Sequence, residues 1–286
     1  MRIPVRFSTH RLPLSTHKWR IGLQLLLVSA WSIFLLILLI VEIGCTSERT
    51  DPQHQLIQHY HLQTPEGDGP FPAVMLILGC SGFRSSLGQQ AHFTRLARQL
   101  RALGYAVVYV DYLAARELTY CHPLVGLPDI ARDVLHTVSY LQSRPEVRAE
   151  SIFAMGWSYG GGGTLAALSM MSTARPSPLR AVVAYYPVCV GVRPWQVKVP
   201  VLIQIGSDDQ QTPPDTCRKL DTQSASMPST TISVYAKAQH GFDVPTFPSG
   251  AISPSGSKRQ RTYNQRTAVM AWKAVEQFLQ RHSSSL

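Results

Sequence analysis

Gly156-Trp157-Ser158-Tyr159-Gly160-Gly161-Gly162 is the stretch whose reading decides the fold. Before it lies "SIFAM" (151–155), apolar and strand-like, and after it "TLAALSMM", which reads as a helix. A serine framed by glycines between a strand and a helix has two readings. It is a nucleophile presented on a tight turn, or an ordinary helix N-cap in a glycine-rich loop. The residues further out decide between them.

Outward from this stretch, strands and helices alternate. "AVMLILG" (73–79) and "AVVYVD" (106–111) are continuous apolar runs, as expected of strands covered on both faces. Between them, residues 90–104 carry apolar side chains at 93, 96, 97, 100 and 103, which is helical spacing, with Gly104 as a stop. Residues 128–143 open with Pro and Asp and repeat the pattern at 130, 134, 135, 138 and 141. Residues 160–172 are expected to be helical. Residues 180–187, 200–206 and 230–236 read as strands, and 215–226 and 264–282 as helices. This order implies βαβ units and a mostly parallel sheet with helices on both faces. The irregular stretches 112–127 and 241–263 both follow strands. Strand carboxyl ends face the ligand crevice in such sheets, so these stretches are expected to wall a site.

The chain has 286 residues, of which 45% are hydrophobic and 15% charged, enough for a sizeable core. Its net charge of +10 does not point to nucleic acid. Arg2, Arg6, Arg11, Lys18 and Arg20 form a basic leader without an acid. Elsewhere the charges are scattered, except for Lys258-Arg259-Gln260-Arg261, read as a solvated loop. Residues 21–41 run without a charge and are long enough to cross a bilayer. The basic flank should stay cytoplasmic, leaving the rest on the far side. "GCTS" then resembles the lipobox of a bacterial lipoprotein, with Cys45 as the lipidated residue. Glu42 and the long apolar run depart from that pattern, and an uncleaved signal anchor is the alternative. The expected organisation is a leader and anchor (1–45), a tether (46–55) and one α/β domain (56–286) in the bacterial envelope. Cys80, Cys121, Cys189 and Cys217 remain, an even number that allows three pairings. A Cys189–Cys217 bridge joining two loops near the sheet's end is the expectation.

Gly156-x-Ser158-x-Gly160 matches a nucleophile elbow, in which small residues two before and two after the serine permit the sharp turn. A serine hydroxyl needs a base, and the base an orienting acid. In chain order serine, acid, histidine, the base is His240, because His282 lies in the terminal tail. Asp208 and Asp209 are both candidates for the acid. The oxyanion donors are expected to be the Tyr159 amide and, from "LGCSGF", the Cys80 amide. The Trp157 and Tyr159 side chains are read as packing.

Further segments carry a resemblance. "GCSGF" (79–83), "GYAVVYVDYLAAR" (104–116), "GWSYGGG", "AYYPV" (184–188), "GSDDQQTP" (206–213) and "QHGF" (239–242) stand in the order found in the dienelactone hydrolase family of α/β-hydrolases. The resemblance spans roughly residues 56–280. It implies an α/β-hydrolase fold. By its motif, Gly206 and Pro213 select Asp209 as the acid, leaving Asp208 to hydrogen-bond the loop. Well-known members have cysteine where this chain has Ser158, and a Glu at about Gly79. Those departures favour a plain serine esterase mechanism over the cyclic-dienelactone one. Arg116 resembles a family arginine that holds a substrate carboxylate, but it is shifted by one residue, and Glu117 is a ready partner for it.

The chemistry so read needs no metal or organic cofactor. The substrate is a small ester or lactone, and the partner is the membrane, through the N-terminal segment; the sequence does not give an oligomeric state. The other function class is a catalytically silent envelope binding protein of the same fold. Reactivity of Ser158 separates the two.

Overall fold

The computed structural model describes residues 52–83, 87–173, 176–224, 230–245 and 263–283. The apolar run 21–41, Cys45, the basic cluster 258–261 and most of the 241–263 loop lie outside the described residues. Among the described residues no helix is long and apolar enough to cross a membrane.

In chain order the elements are α1 (Pro52–Gln58), β1 (Phe71–Ile77), α2 (Leu87–Ala102), β2 (Ala106–Val110), a 3-10 turn (Ala114–Arg116), α3 (Leu127–Gln142), β3 (Val147–Trp157), α4 (Ser158–Met170), β4 (Ala181–Tyr185), β5 (Val201–Gly206), α5 (Pro214–Gln223), β6 (Thr230–Tyr235) and α6 (Gln265–Ser283). The six strands form one parallel sheet in the order β2-β1-β3-β4-β5-β6. β2, β4 and β5 are buried along their whole length, which explains why their sequences are apolar without alternation. α2, α3 and α6 have one apolar face each. α4 is buried from Gly160 to Leu168, as expected of a helix with no polar face.

The strand order places the site. The chain moves from β1 outward to β2, then returns to β3 on β1's other side. That reversal leaves a crevice between the carboxyl ends of β1 and β3. β1 ends against the elbow, with Ile77 in register with Gly156. The same crevice therefore receives the Gly79–Phe83 loop from one strand and Ser158 from the other.

Four readings of the sequence shift. β3 runs on through Gly156 and Trp157, and α4 begins at Ser158 rather than at residue 160. One residue in the left-handed region makes the whole reversal, so no loop is needed. Residues 52–58 are helical, so a helix takes up residues 52–55 of the expected tether, and Leu56 is fully buried. "PQHQLIQ" has a single adjacent apolar pair, too few for a periodicity to register. Arg180 precedes β4 rather than opening it, and β1 begins two residues earlier than its apolar run, at Phe71.

Candidate active site

Ser158 is held at φ 51°. A left-handed backbone costs a non-glycine residue about 1–2 kcal/mol, so the surroundings must impose it. They do so through glycine. A Cβ on Gly160 would stand 2.2 Å from the Leu78 carbonyl oxygen, and one on Gly156 would stand 2.5 Å from Thr164 Oγ1. The helix thus starts in direct backbone contact with the end of β1, and the Ser158 side chain is left at the strand end.

Ser158 Oγ lies 2.9 Å from His240 Nε2, and His240 Nδ1 lies 2.8 Å from Asp209 Oδ2. His240 and Asp209 are almost wholly buried. A carboxylate only accepts, so Nδ1–H donates to Asp209 and Nε2 is left to accept from the serine hydroxyl. Asp209 is itself anchored. Its Oδ1 accepts from the Gln211 and Thr212 amides, both at 2.9 Å, and its Oδ2 lies 2.9 Å from the Thr212 hydroxyl. That hydroxyl also reaches the Tyr186 carbonyl at 3.1 Å. Asp208 points elsewhere and accepts from the Ser207 hydroxyl at 2.7 Å. Of the two adjacent acids, the geometry brings only Asp209 to the histidine.

A small cavity of about 30 Å³ lies beside Ser158, lined by Gly79, Cys80, Gln89, Phe93, Tyr186 and His240 among others. Cys80 therefore lines the same cavity as the serine. The Tyr159 amide sits in the first turn of α4, where N–H groups lack intrahelical partners. The Tyr159 hydroxyl donates to the Val125 carbonyl, and Trp157 is buried, so both side chains pack. Gly79 leaves little room for the family's glutamate. A Cβ there would already be 3.1 Å from the Ser158 Cβ. A concavity of about 680 Å³ lies at the opposite ends of the strands around Arg180, Lys198 and His282, away from the serine.

Arg116 pairs with neither Glu117 nor an open pocket. Its two terminal nitrogens meet the two oxygens of buried Asp133 at 2.7 and 3.0 Å, and it also donates to the Tyr112 carbonyl. Burial raises the Asp133 carboxyl despite the opposing pull of Arg116. The pair braces the 112–127 loop against α3.

Both disulfides form, Cys189–Cys217 and Cys80–Cys121. The first fastens the segment after β4 to α5. The second ties the loop beside Ser158 to the 112–127 loop, and the Cys121 amide also donates to the Cys80 carbonyl. Among the described residues no group of three or more His, Cys, Asp or Glu is arranged to hold a metal ion.

Three residues around this arrangement escaped the sequence reading. Thr212 had a local signal, since Asp followed three residues later by Thr is a turn in which the acid caps backbone amides. Tyr186 and Asp243 had none beyond an acid in the apolar stretch "HGFDV". The Asp243 carboxylate accepts from Trp157 Nε1 at 2.9 Å and from the Tyr186 hydroxyl at 2.6 Å.

A serine–histidine–aspartate relay at the switch point of a parallel sheet, with serine, acid and histidine in that chain order, is the arrangement of the α/β-hydrolase class. The chain belongs to the dienelactone hydrolase family, whose model matches residues 58–283. It is accordingly an ester-cleaving hydrolase. Solved structures share the fold at low identity. One is a putative dienelactone hydrolase from Klebsiella pneumoniae, with 20% identity over 77% of this chain and 91% of the other, and a TM-score of 0.59. Another is a dienelactone hydrolase-like promiscuous phosphotriesterase from metagenomic libraries, with 18% identity over 78% and 91%, and a TM-score of 0.61. A third is Thermogutta terrifontis esterase 2, with 15% identity over 78% and 88%, and a TM-score of 0.56. No curated protein matches the chain.

Proposed function

We propose that the protein is a serine hydrolase that cleaves small carboxylic esters or lactones through an acyl-enzyme, with Ser158, His240 and Asp209 as its triad. The observation that carries this is the unbroken relay from Ser158 Oγ through His240 to Asp209. His240 Nε2 takes the Ser158 proton as Oγ attacks the ester carbonyl carbon. The carbonyl oxygen becomes an oxyanion held by the Cys80 and Tyr159 amides. When the tetrahedral species collapses, His240 passes the proton to the leaving alkoxide and the C–O bond breaks. Water, deprotonated by His240, then attacks the acyl carbon and releases Ser158. Asp209, fixed by Thr212 and two amides, keeps the histidine proton on Nδ1 and stabilises the imidazolium. The small cavity beside the serine favours short acyl groups.

Serine in place of cysteine fits this resting geometry, because a hydroxyl needs a hydrogen-bonded base to become a nucleophile. We infer that the enzyme works on the outer side of a bacterial membrane. The basic leader, the uncharged run 21–41 and two disulfides in a chain of this kind support that location.

Ser158→Ala tests the chemistry. Hydrolysis of p-nitrophenyl acetate should vanish while the melting temperature stays close to wild type. Persistent activity would mean a different nucleophile. The mass of the mature N-terminus tests the anchor, and a chain still beginning before Cys45 rules out lipoprotein processing.

A further inference from the structure

The least expected group near the site is a second aspartate. Asp243 is buried, and a buried carboxylate is retained against a desolvation cost. Burial pushes its carboxyl up, yet His92 beside it and the hydrogen bonds from Tyr186 and Trp157 outweigh that and hold it below the usual value. His92 Nε2, from α2, stands 3.7 Å away. The residue sits outside the relay and touches no reacting atom.

We infer that Asp243 is a positioning residue for the hydrolysis proposed above, because its carboxylate locks together the residue before the nucleophile and the ring that packs on the base. This inference rests on the serine-hydrolase reading.

Trp157 leads by one peptide bond into Ser158. Its indole lies between Phe93, edge-on at 5.0 Å, and Tyr185, stacked at 5.3 Å, and Asp243 takes its only N–H. Tyr186 approaches from the other side. Its ring is centred 4.5 Å from that of His240, and its backbone is held at φ 36°. Its carbonyl meets the Thr212 hydroxyl, which also meets Asp209. Asp243 itself lies in the His240 turn, where Gly241 adopts φ 75° and the Val244 amide closes back on the Gly241 carbonyl. One carboxylate therefore joins the elbow, the exit of β4 and the histidine turn from behind, while the relay joins the elbow, the acid loop and the histidine turn from the front. Without it, Trp157 Nε1–H and the Tyr186 hydroxyl lose the acceptor they share, and both ends of the Ser158–His240 hydrogen bond lose a fixed neighbour. A misplacement of about 1 Å costs a reaction of this kind roughly 10²-fold.

Asp243→Asn, measured as folded protein with p-nitrophenyl acetate, is the test. We expect kcat to fall about 10–100-fold, with KM within about twofold, and the rate of fluorophosphonate labelling at Ser158 to fall in step. Tyr186→Phe and Trp157→Phe each delete one donor. They should lower kcat singly but add little on top of Asp243→Asn, the non-additivity of residues acting as a unit. A lowered melting temperature with wild-type kcat would overturn the inference, since a purely structural role predicts that result. If Asp243→Asn fails to fold, the two single-donor variants carry the test, and wild-type kcat in both overturns it. An unlabelled Ser158 in the wild-type protein overturns the hydrolase reading along with this one. A labelled wild type beside an unaffected Asp243→Asn overturns this one alone.

Discussion

The two walls of the Ser158 cleft are made differently. The elbow wall is backbone packed on backbone. Gly156 and Gly160 sit so close to Thr164 and to the end of β1 that no side chain fits. The opposite wall, the Gly79–Phe83 loop, touches the serine through Gly79 and is fastened by two devices. Gln89 donates to the Gly82 carbonyl at 2.7 Å, and the Cys80–Cys121 bond ties it to the 112–127 loop. The first wall cannot loosen without disturbing the core. The second hangs on a covalent bond between half-buried cysteines. The proposed nucleophile is therefore placed by the fold itself, and its proposed oxyanion partner by a crosslink.

Each wall can be broken separately. Gly160→Val has the largest expected effect. With its Cβ 2.2 Å from the Leu78 carbonyl, it should cost more than about 3 kcal/mol, read as a shift in the urea unfolding midpoint and loss of soluble protein. Next, Cys121→Ser frees the second wall while leaving the Cys80 amide in place. The fold should survive, and kcat should drop by about 10-fold or more, up to the ~10²–10³ that loss of a whole oxyanion donor brings. Mild reductant should act on wild type in the same way and liberate two thiols first, because Cys217 of the other bridge is fully buried. Unchanged kcat after thiol counting proves Cys80–Cys121 open would dissolve the contrast between the walls.

The smallest effect concerns acid. Asp243 has a folded value lowered from 3.8. Its stabilising contribution is complete above the unfolded value and is lost as pH falls through the lower folded one. Asp243→Asn lacks that contribution at neutral pH. Its melting temperature should therefore start lower and fall less steeply than wild type on acidification below about pH 4.

Much of this was legible in the sequence, for physical reasons. Buried parallel strands announce themselves as unbroken apolar runs such as "AVVYV", and the glycine pair around Ser158 marks a turn that tolerates no side chain. What the sequence hid was non-local. The choice of Asp209 over Asp208 depends on which way two adjacent side chains point, and a family motif was needed to make it. Arg116 looked paired with its neighbour Glu117, whereas its partner Asp133 lies a helix away. Asp243, Trp157 and Tyr186 come from three separate strand ends, and no local pattern links residues whose only connection is a shared carboxylate. Helix α1 was missed because Leu56, deeply buried beside an exposed Ile57, gives no period to detect.

The central claim is that Ser158 is an activated nucleophile. The most direct test is to treat the folded protein with a fluorophosphonate and map the adduct by mass spectrometry. The account predicts one adduct, on Ser158, formed rapidly in wild type and absent in His240→Ala. No adduct in folded protein, or an adduct on another serine, would contradict it.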